Sequence, residues 1–350
     1  MTGTMKALVK YGPNAGETAI QDKPIPQIGP DDVLVKVAYI GICGTDPHMH
    51  MNLTNLNVAV PMIFGHEFAG TIAELGANVK GWAAGDRVTV ETHADYCGVC
   101  EMCRTNRYHL CRDRKGYGFQ IDGAFASYVK APSRILHRVP ENVSMREASL
   151  TEPLCVGYKS MVDNSNIRPG DTVVVIGPGP IGMTCIKMAQ ICGASEIIAV
   201  GANGDEKRLE MALTYGATAA VNSQEPGAVE RIMSLTDGYG ADLVADTAGV
   251  SATLKLSMQI VRPFGQITKI GWGPKPVDFS LDPLLQKSVT LQGHFSHTWD
   301  VWEKCLVLMK KGQVDLKPLI THELPLDQWE HGFELIENRE AMKVVLTPIG

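Results

Sequence analysis

The stretch Thr172–Gly182, TVVVIGPGPIG, determines the architecture of the middle of this sequence. Its apolar, β-branched run predicts a buried strand, the glycines and prolines predict a tight turn, and the residues that follow have helical spacing. In a GxGxxG turn the first glycine permits the turn, the second lets the backbone approach a pyrophosphate, and the third allows close helix–strand packing. Because the strand–turn–helix context is complete, the stretch predicts a dinucleotide-binding turn, with Gly177, Gly179, Pro180, Ile181 and Gly182 as candidate binding residues.

Strand and helix patterns alternate downstream of this turn. EIIAVG is followed by the helical DEKRLEMALTYGA, and ADLVADTAG is followed by a helical run over Ser251–Val261. Alternation at this period indicates a parallel sheet with crossover helices. We therefore predict an α/β, doubly wound Rossmann domain over residues 153–287.

The residues before this region have a different pattern. DDVLVKVAYIGIC, FAGTIAELG and DRVTVET are short strand signals separated by Gly and Pro turns. They predict a β-rich, barrel-like domain over residues 1–152. At the other end, the amphipathic helix WDVWEKCLVLMKKGQ and the strand-like KVVLTPIG suggest that residues 288–350 return to this first domain.

Composition excludes several classes of function. The formal net charge is −6 and no block of Lys or Arg occurs, which argues against nucleic acid as a partner. No apolar run approaches the ~18 residues that span a bilayer. The N-terminal MTGTMKALVKYG does not have the layout of a signal peptide. We therefore expect a soluble, cytoplasmic protein that acts on a small molecule.

A regular cysteine quartet lies between residues 97 and 111. In a reducing compartment four clustered thiols indicate metal ligation rather than disulfides. Four thiolates close a tetrahedral shell around Zn²⁺ with no open position, so Cys97, Cys100, Cys103 and Cys111 predict a structural zinc site. An iron–sulfur cluster uses similar spacings, and a zinc-ribbon module would require a basic surface that this chain does not have.

Three separate segments offer a second set of metal ligands. They are GICGTD around Cys43, GHE with His66 and Glu67, and TEP with Glu152. A catalytic zinc takes three protein ligands and keeps one exchangeable position. Taken singly, these residues are better explained without a metal, Cys43 as a small buried apolar residue, His66 as a hydrogen-bonded core histidine and Glu152 as a helix-start or surface carboxylate.

The end of the second strand of the α/β region bears on the cofactor. NAD-binding turns of this kind place a carboxylate there to bind the ribose hydroxyls, but here the strand ends at Gly201. Asp205 comes later and is interpreted as a helix N-cap. Lys207 and Arg208 either face a 2′-phosphate or are solvated helix residues. NAD and NADP both remain open, with Gly201, Asn203 and Arg208 as candidate cofactor contacts.

Taken together and in this order, these segments resemble the zinc-containing medium-chain dehydrogenase/reductase superfamily. The resemblance covers nearly the whole chain. TEPLCVGYKS resembles the sorbitol (polyol) dehydrogenase branch more than simple alcohol dehydrogenases, which carry cysteine at the third ligand position. CGTDPH and the cysteine-quartet region also resemble threonine dehydrogenase. The resemblance implies a GroES-like catalytic domain formed by both termini, a central Rossmann domain, and an active site in the cleft between them.

The resemblance also implies roles for individual residues. Cys43, His66 and Glu152 would surround the catalytic zinc, and Glu67 would be an alternative or exchanging ligand. Zinc would act as a Lewis acid on the substrate alcohol, and a hydride would pass to the nicotinamide. Proton removal would run through Thr45, with His48 as the next member of the relay.

Substrate residues follow only from the resemblance. Polyol dehydrogenases of the sorbitol type carry an Arg-Tyr pair where this chain has His294 and Phe295, which counts against sorbitol itself. Phe119 matches an aromatic residue near the substrate, and the residues expected near the nicotinamide are Gly271, Phe295 and Ser296. We predict a homo-oligomeric, dimeric or tetrameric dehydrogenase for a secondary alcohol of a small polyol. The alternatives are a threonine dehydrogenase and a non-catalytic, cofactor-binding member of the fold.

Overall fold

A computed structural model describes residues 3–273 and 275–350. The chain divides into two compact units, residues 1–152 with 297–350 and residues 153–296. Each unit has its own core of buried apolar side chains, and aromatic residues are among those of the first unit. Among the described residues, no helix combines the length and apolar character that a membrane span requires.

The first unit is rich in β-structure. Its strands are β1 Thr4–Lys10, β2 Thr18–Pro24, β3 Asp32–Gly41, β4 Met62–Ile63, β5 Glu67–Leu75, β6 Arg87–Val90, β7 His93–Asp95, β8 Lys115–Gly116, β9 Tyr128–Pro132, β10 Leu136–Arg138, β17 Ile320–Pro325 and β18 Lys343–Thr347. A seven-stranded sheet runs in the order β10-β6-β5-β3-β18-β17, with β9 also paired to β3. Smaller sheets are β2-β1-β4 and β7-β8.

Short helices connect these strands. They are α1 Thr45–His50, α2 Glu101–Arg104 and α3 Met145–Ala148, and the C-terminal part adds α10 Trp299–Lys310 and α11 Trp329–Glu337. A capping box at Ser144 and Glu147 starts α3, because each side chain bonds the backbone N–H of the other residue. Helix α4, Thr151–Tyr158, contains the point at which the chain passes to the second unit.

The second unit is a parallel α/β structure. Its strands are β11 Thr172–Ile176, β12 Glu196–Gly201, β13 Ala219–Asn222, β14 Ala241–Asp246, β15 Val261–Lys269 and β16 Thr290–Gly293. The order is β13-β12-β11-β14-β15-β16, and every pairing is parallel. This is the strand order of a dinucleotide-binding Rossmann sheet, which reverses between β11 and β14. The predicted doubly wound fold is confirmed.

The helices of this unit join consecutive strands, as the sequence pattern predicts. They are α5 Pro180–Ile191, α6 Glu206–Tyr215, α7 Ala228–Ser234, α8 Ser251–Ile260 and α9 Asp282–Gln286. A π-helix over Lys159–Asp163 follows α4.

The predicted domain boundary at residues 287 and 288 is wrong. Strand β16 lies beyond it, but β16 pairs in parallel with β15, Gln266 opposite Thr290 and Lys269 opposite Gly293. The segment therefore completes the parallel sheet, and the chain joins the first unit at His297. Its short apolar pattern alone did not indicate which sheet would accept it.

Candidate functional site

The turn after β3 positions Cys43. The backbone N–H of Cys43 donates to Asp46 Oδ2 at 2.8 Å, so the buried aspartate closes the turn that begins α1. Thr45 Oγ1 lies 3.5 Å from Cys43 Sγ. The turn therefore presents a thiol and a hydroxyl at one point.

Strand pairing brings His66 and Glu67 to this turn. Strands β3 and β5 are antiparallel with Gly41 opposite Glu67, so the end of one strand lies beside the start of the other. Ligand atoms of Cys43, His66 and Glu67 all lie within 4.8 Å of one another. The Phe119 ring lies 5.0 Å from the His66 ring, between centroids, so an aromatic side chain flanks the cluster.

The electrostatics of this cluster favour a positive charge. Burial alone would lower the pKa of His66, but its interactions with Cys43, Asp46 and Glu152 raise it to about 10. Burial raises the pKa of Asp46 to about 6, and the nearby His66 opposes that rise. His66 Nδ1 and Asp46 Oδ1 lie 3.9 Å apart. Neither atom has a hydrogen-bond partner among the described residues.

Glu67 is held by a buried cation. Lys343 Nζ lies 2.7 Å from Glu67 Oε1 and also donates to the backbone oxygen of Ile42 at 2.7 Å. Burial would lower the pKa of Lys343, but the charges of Glu67 and Cys43 raise it. The lysine therefore fixes Glu67 beside Cys43 and His66.

Glu152 lies near this cluster but, among the described residues, outside the convergent ligand group. Its Oε1 lies 3.2 Å from His297 Nε2 and accepts from Thr92 Oγ1 at 3.5 Å. Burial would raise the pKa of Glu152, but the hydrogen bond from His297 and the charge of His66 lower it. The structure thus places a carboxylate near the cluster and holds its Oε1 through His297 and Thr92.

The cysteine quartet converges as its spacing predicts. Cys97, Cys100, Cys103 and Cys111 each place Sγ within 4.8 Å of the others. Backbone N–H groups of Val99 and Cys100 lower the pKa of Cys97 to about 7. The loop thus favours thiolate at one member, and thiolate is the form that binds metal.

In the second unit the GxGxxG turn joins β11 to α5. Gly177 has φ +95, and a Cβ at Gly182 would lie 2.0 Å from the Gly177 oxygen, so both positions require glycine. A Cβ at Gly179 would meet nothing within 4 Å, which leaves room for a ligand. Pro180 and Ile181 begin α5, whose N-terminus faces this space with the positive end of its dipole.

At the end of β12 the acids are already engaged. Asp205 occupies the N-cap position of α6, but it does not cap the helix; its Oδ2 accepts from the backbone N–H of Ala202 at 3.0 Å. Glu206 Oε1 accepts from Gly204 N at 3.0 Å. Asn203 Oδ1 accepts from Asn222 Nδ2 at 2.8 Å. Arg208 lies 3.9 Å from Asp205 Oδ1.

The remaining predicted residues of this unit lie after β15 and β16. Gly271 N donates to the backbone oxygen of Asp246 at 2.9 Å, which packs the turns after β14 and β15 together. The Phe295 ring contacts Trp272 at 6.0 Å between centroids, and Ser296 has φ 54. His294 Nδ1 lies 3.1 Å from Asn164 Nδ2.

Comparison with known proteins decides the family. The alcohol dehydrogenase GroES-like domain matches residues 29–141, and the zinc-binding dehydrogenase domain matches residues 180–311. The sorbitol dehydrogenase of Halalkalibacterium halodurans is 40% identical over 99% of this chain and 100% of its own length. The chain belongs to the zinc-binding dehydrogenase family.

Two further relatives have similar coverage. The L-threonine 3-dehydrogenase of Bacillus velezensis is 35% identical over 99% of this chain and 100% of its own length. A zinc-binding dehydrogenase of Sinorhizobium meliloti, solved bound to NADP, superposes with a TM-score of 0.89 at 29% identity, covering 99% of this chain and 100% of that one. The predicted superfamily, the dehydrogenase class and the use of zinc and NAD(P) are confirmed.

The donor sets fit the cofactors of zinc-binding dehydrogenases. Cys43, His66 and Glu67 offer sulfur, nitrogen and oxygen, and the unpartnered His66 Nδ1 and Asp46 Oδ1 lie in a field that favours a cation. The quartet offers four sulfurs, which suits a closed structural site. The open space over Gly179 suits a dinucleotide.

Sequence reasoning missed four residues of the zinc-binding dehydrogenase site. Asp46 directly follows Thr45 in the GICGTD motif, and the structure shows it buried and closing the turn, a role that the motif alone does not indicate. Thr92, His297 and Lys343 gave no signal. Each reaches the site through tertiary pairing from a distant part of the sequence.

Proposed function

We propose that this zinc- and NAD(P)-dependent enzyme oxidises a secondary alcohol of a small polyol to the ketone. The observation that carries the proposal is the convergence of Cys43, His66 and Glu67 within 4.8 Å, with the Thr45 hydroxyl at the same turn. The polyol class is supported by Glu152 at the position where simple alcohol dehydrogenases carry cysteine, and by the 40% identity to a sorbitol dehydrogenase.

Each residue of the cluster has a task in this reaction. Cys43, His66 and a carboxylate hold the metal, and Phe119 packs on the His66 ring and excludes water from that side. A bound zinc would supply Lewis-acid chemistry that lowers the pKa of the substrate hydroxyl, and a bound nicotinamide would be the hydride acceptor. Thr45 Oγ1 would accept the hydroxyl proton while its own proton leaves towards His48, an exposed residue one helical turn further along α1, and from there to water.

The cofactor turn supports NADP as an accepted cofactor. In the part of the chain that the structure describes, β12 ends at Gly201 without a carboxylate, and Asp205 and Glu206 each use one oxygen to accept a backbone N–H of the following turn. Arg208, whose Nη1 lies 3.9 Å from Asp205 Oδ1, is the residue of this turn that would bind a 2′-phosphate. Gly201 and Asn203 belong to the same turn and are the other residues that we propose to contact the cofactor.

Two properties beyond catalysis belong to the same proposal. All nine cysteines are free thiols, which suits a reducing, cytoplasmic location. Exposed apolar side chains in the second unit, among them Phe264 at 81% and Leu285 at 74% exposure, suit burial in a homo-oligomer. Light scattering of the purified protein would measure the oligomeric state.

A substrate panel tests the proposal. Polyols, L-threonine and simple secondary alcohols are offered with NAD and with NADP, and reduced nicotinamide is followed by its absorbance. We expect the highest kcat/KM with a polyol. Highest kcat/KM with L-threonine would make the enzyme an amino-alcohol dehydrogenase instead. Cofactor binding without turnover of any substrate would point to the non-catalytic alternative.

A matched variant tests the proton path. Thr45→Val removes the hydroxyl while keeping the shape of the side chain. We expect kcat to fall about 10²–10⁴-fold, the usual contribution of a positioned proton-transfer group. Zinc content and cofactor affinity should stay at the wild-type level. Unchanged kcat would remove Thr45 from the mechanism.

A further inference from the structure

The ring of His297 is fully buried between two hydrogen bonds in the first unit. Trp302 Nε1 donates to His297 Nδ1 at 2.8 Å. An indole N–H only donates, so Nδ1 must be the unprotonated, accepting nitrogen of the imidazole. The ring proton therefore resides on Nε2.

That proton points to Glu152. His297 Nε2 lies 3.2 Å from Glu152 Oε1, so it donates to this oxygen. Thr92 Oγ1 donates to the same oxygen at 3.5 Å. Oε2 accepts no hydrogen bond from the residues that the structure describes. One oxygen of the carboxylate is thus anchored and the other is left for the metal cluster, whose His66 feels the charge of Glu152.

The backbone of His297 is held in the same manner. His93 Nε2 lies 3.1 Å from the His297 oxygen, and Arg114 Nε donates to His93 Nδ1 at 2.8 Å. A guanidinium only donates, so His93 also carries its proton on Nε2 and donates it to His297. Two residues further on, the backbone N–H of Trp299 donates to Tyr108 Oη at 2.5 Å.

We infer that His297 is the positioning residue of Glu152, a neutral donor whose tautomer Trp302 fixes. The chain of donors is directional: Trp302 donates to His297, and His297 donates to Glu152. Trp302 and His297 are fully buried, and Glu152 Oε1 accepts from both His297 and Thr92, so the carboxylate cannot rotate without breaking these hydrogen bonds. This inference rests on the proposed dehydrogenase function only for the role of Glu152 as a carboxylate beside the catalytic zinc.

Two polar substitutions separate positioning from simple packing. The amide nitrogen of glutamine reaches the place of Nε2 and still donates to Glu152. The amide of asparagine reaches only the place of Nδ1 and faces Trp302. Partners of metal ligands typically contribute 10–100-fold to metal affinity or activity. We therefore expect His297→Asn to lose 10–100-fold in kcat and in zinc affinity at the catalytic cluster, and His297→Gln to retain most of both.

His137→Asn is the matched control. His137 is equally buried and stacks on the same Trp302 at 5.3 Å, but its partners are Glu91 and Glu303 rather than Glu152. We expect His137→Asn to lower the Tm while kcat and zinc affinity remain unchanged.

Zinc release to a chelator, without substrate, is the decisive measurement. The protein is expected to hold two zinc ions, and the catalytic one is identified as the ion that is absent from a Cys43→Ser variant. Faster release in His297→Asn than in His297→Gln and His137→Asn supports positioning, even if no alcohol in the panel is oxidised. Wild-type release and kcat in His297→Asn would overturn the inference. The inference would also be overturned if the losses of kcat and zinc affinity in His297→Asn and His137→Asn were proportional to the decrease in Tm of each variant.

Discussion

Lys343 and Glu67 form a buried ion pair across three strands. Lys343 Nζ lies 2.7 Å from Glu67 Oε1 and 2.5 Å from Oε2, and the two residues are 2% and 1% exposed. Strand β18 pairs with β3, and β3 pairs with β5, so the lysine reaches the glutamate over the end of the central strand. Because Glu67 also belongs to the group of candidate metal ligands, this ion pair bears on both the stability of the fold and the binding of metal.

Removing the cation should be costly. In Lys343→Met the Glu67 carboxylate stays buried without its partner, and breaking a buried pair in this way costs about 3–5 kcal/mol. We expect that loss in the free energy of unfolding, measured in urea on the zinc-free protein. The double variant Lys343→Met/Glu67→Gln should recover most of it, since no uncompensated charge remains. Equal stability of the single variant and the wild type would show that the pair contributes nothing.

Cys43 should be needed for turnover and not for folding. Cys43→Ser replaces the only sulfur of the Cys43, His66 and Glu67 group, so we expect loss of one zinc per chain and of dehydrogenase activity, with a change in Tm of only a few degrees. Cys192→Ser is the control, because Cys192 lies at the end of α5 and outside both groups of metal ligands. This variant should keep its full zinc content and its dehydrogenase activity. Activity of Cys43→Ser in zinc-replete buffer would refute the ligand assignment.

The quartet should act on stability first. In the wild-type protein Cys100 Sγ lies 3.5 Å from Cys103 Sγ, within a group of four sulfurs. Cys100→Ser leaves three of these sulfurs. A structural zinc site contributes folding free energy directly, so we expect a lower Tm and loss of the second zinc. Metal analysis and calorimetry of the variant measure both. A wild-type Tm would exclude a structural role for the quartet.

Much of this molecule was predictable because the decisive signals are local. The GxGxxG turn, the cysteine quartet and the strand–helix alternation each occupy one continuous segment, and their physical causes act within that segment. Strand β16 shows the limit. Its residues predict a strand, but its parallel pairing with β15 depends on the whole preceding sheet.

The candidate site was predictable only in part for the same reason. Cys43 and His66 follow strands whose pairing brings them together, and their motifs carry the resemblance. Lys343 and His297 come from the C-terminal part of the chain, where neither a motif nor periodicity indicates a partner. A lysine in a strand usually faces solvent, and only the buried Glu67 explains this one.

The cofactor preference can be changed at the end of β12. Ala202→Asp places a carboxylate beside the site expected for the ribose, where it accepts from the hydroxyls of NAD and repels the 2′-phosphate of NADP. A hydrogen bond to a charged group contributes about 1.5–3 kcal/mol, so we expect kcat/KM for NAD relative to NADP to rise about 10–100-fold. Glu210→Gln, a charge change at an exposed position one helical turn further along α6, is the control and should leave the ratio unchanged. An unchanged ratio in Ala202→Asp would place the ribose elsewhere.

His137 should make stability depend on pH. Its ring is buried, with Nδ1 2.6 Å from Glu303 and Nε2 3.4 Å from Glu91. Burial alone would lower the pKa of His137, but hydrogen bonds to these two carboxylates raise it. The folded state thus binds this proton more tightly than the unfolded chain, whose imidazole pKa is about 6.5. The stabilisation is complete below that value and is lost as the pH rises through the folded pKa.

The measurement is a difference between two proteins at two pH values. The quantity compared is the free energy of unfolding of the wild type minus that of His137→Gln. We expect this difference to be about 1–3 kcal/mol larger at about pH 6 than at about pH 9.5. His331→Gln removes a surface histidine, 57% exposed and 3.7 Å from Glu334, and should show no such dependence. A difference for His137→Gln that is constant or grows with pH would mean that this buried histidine is neutral in the folded state.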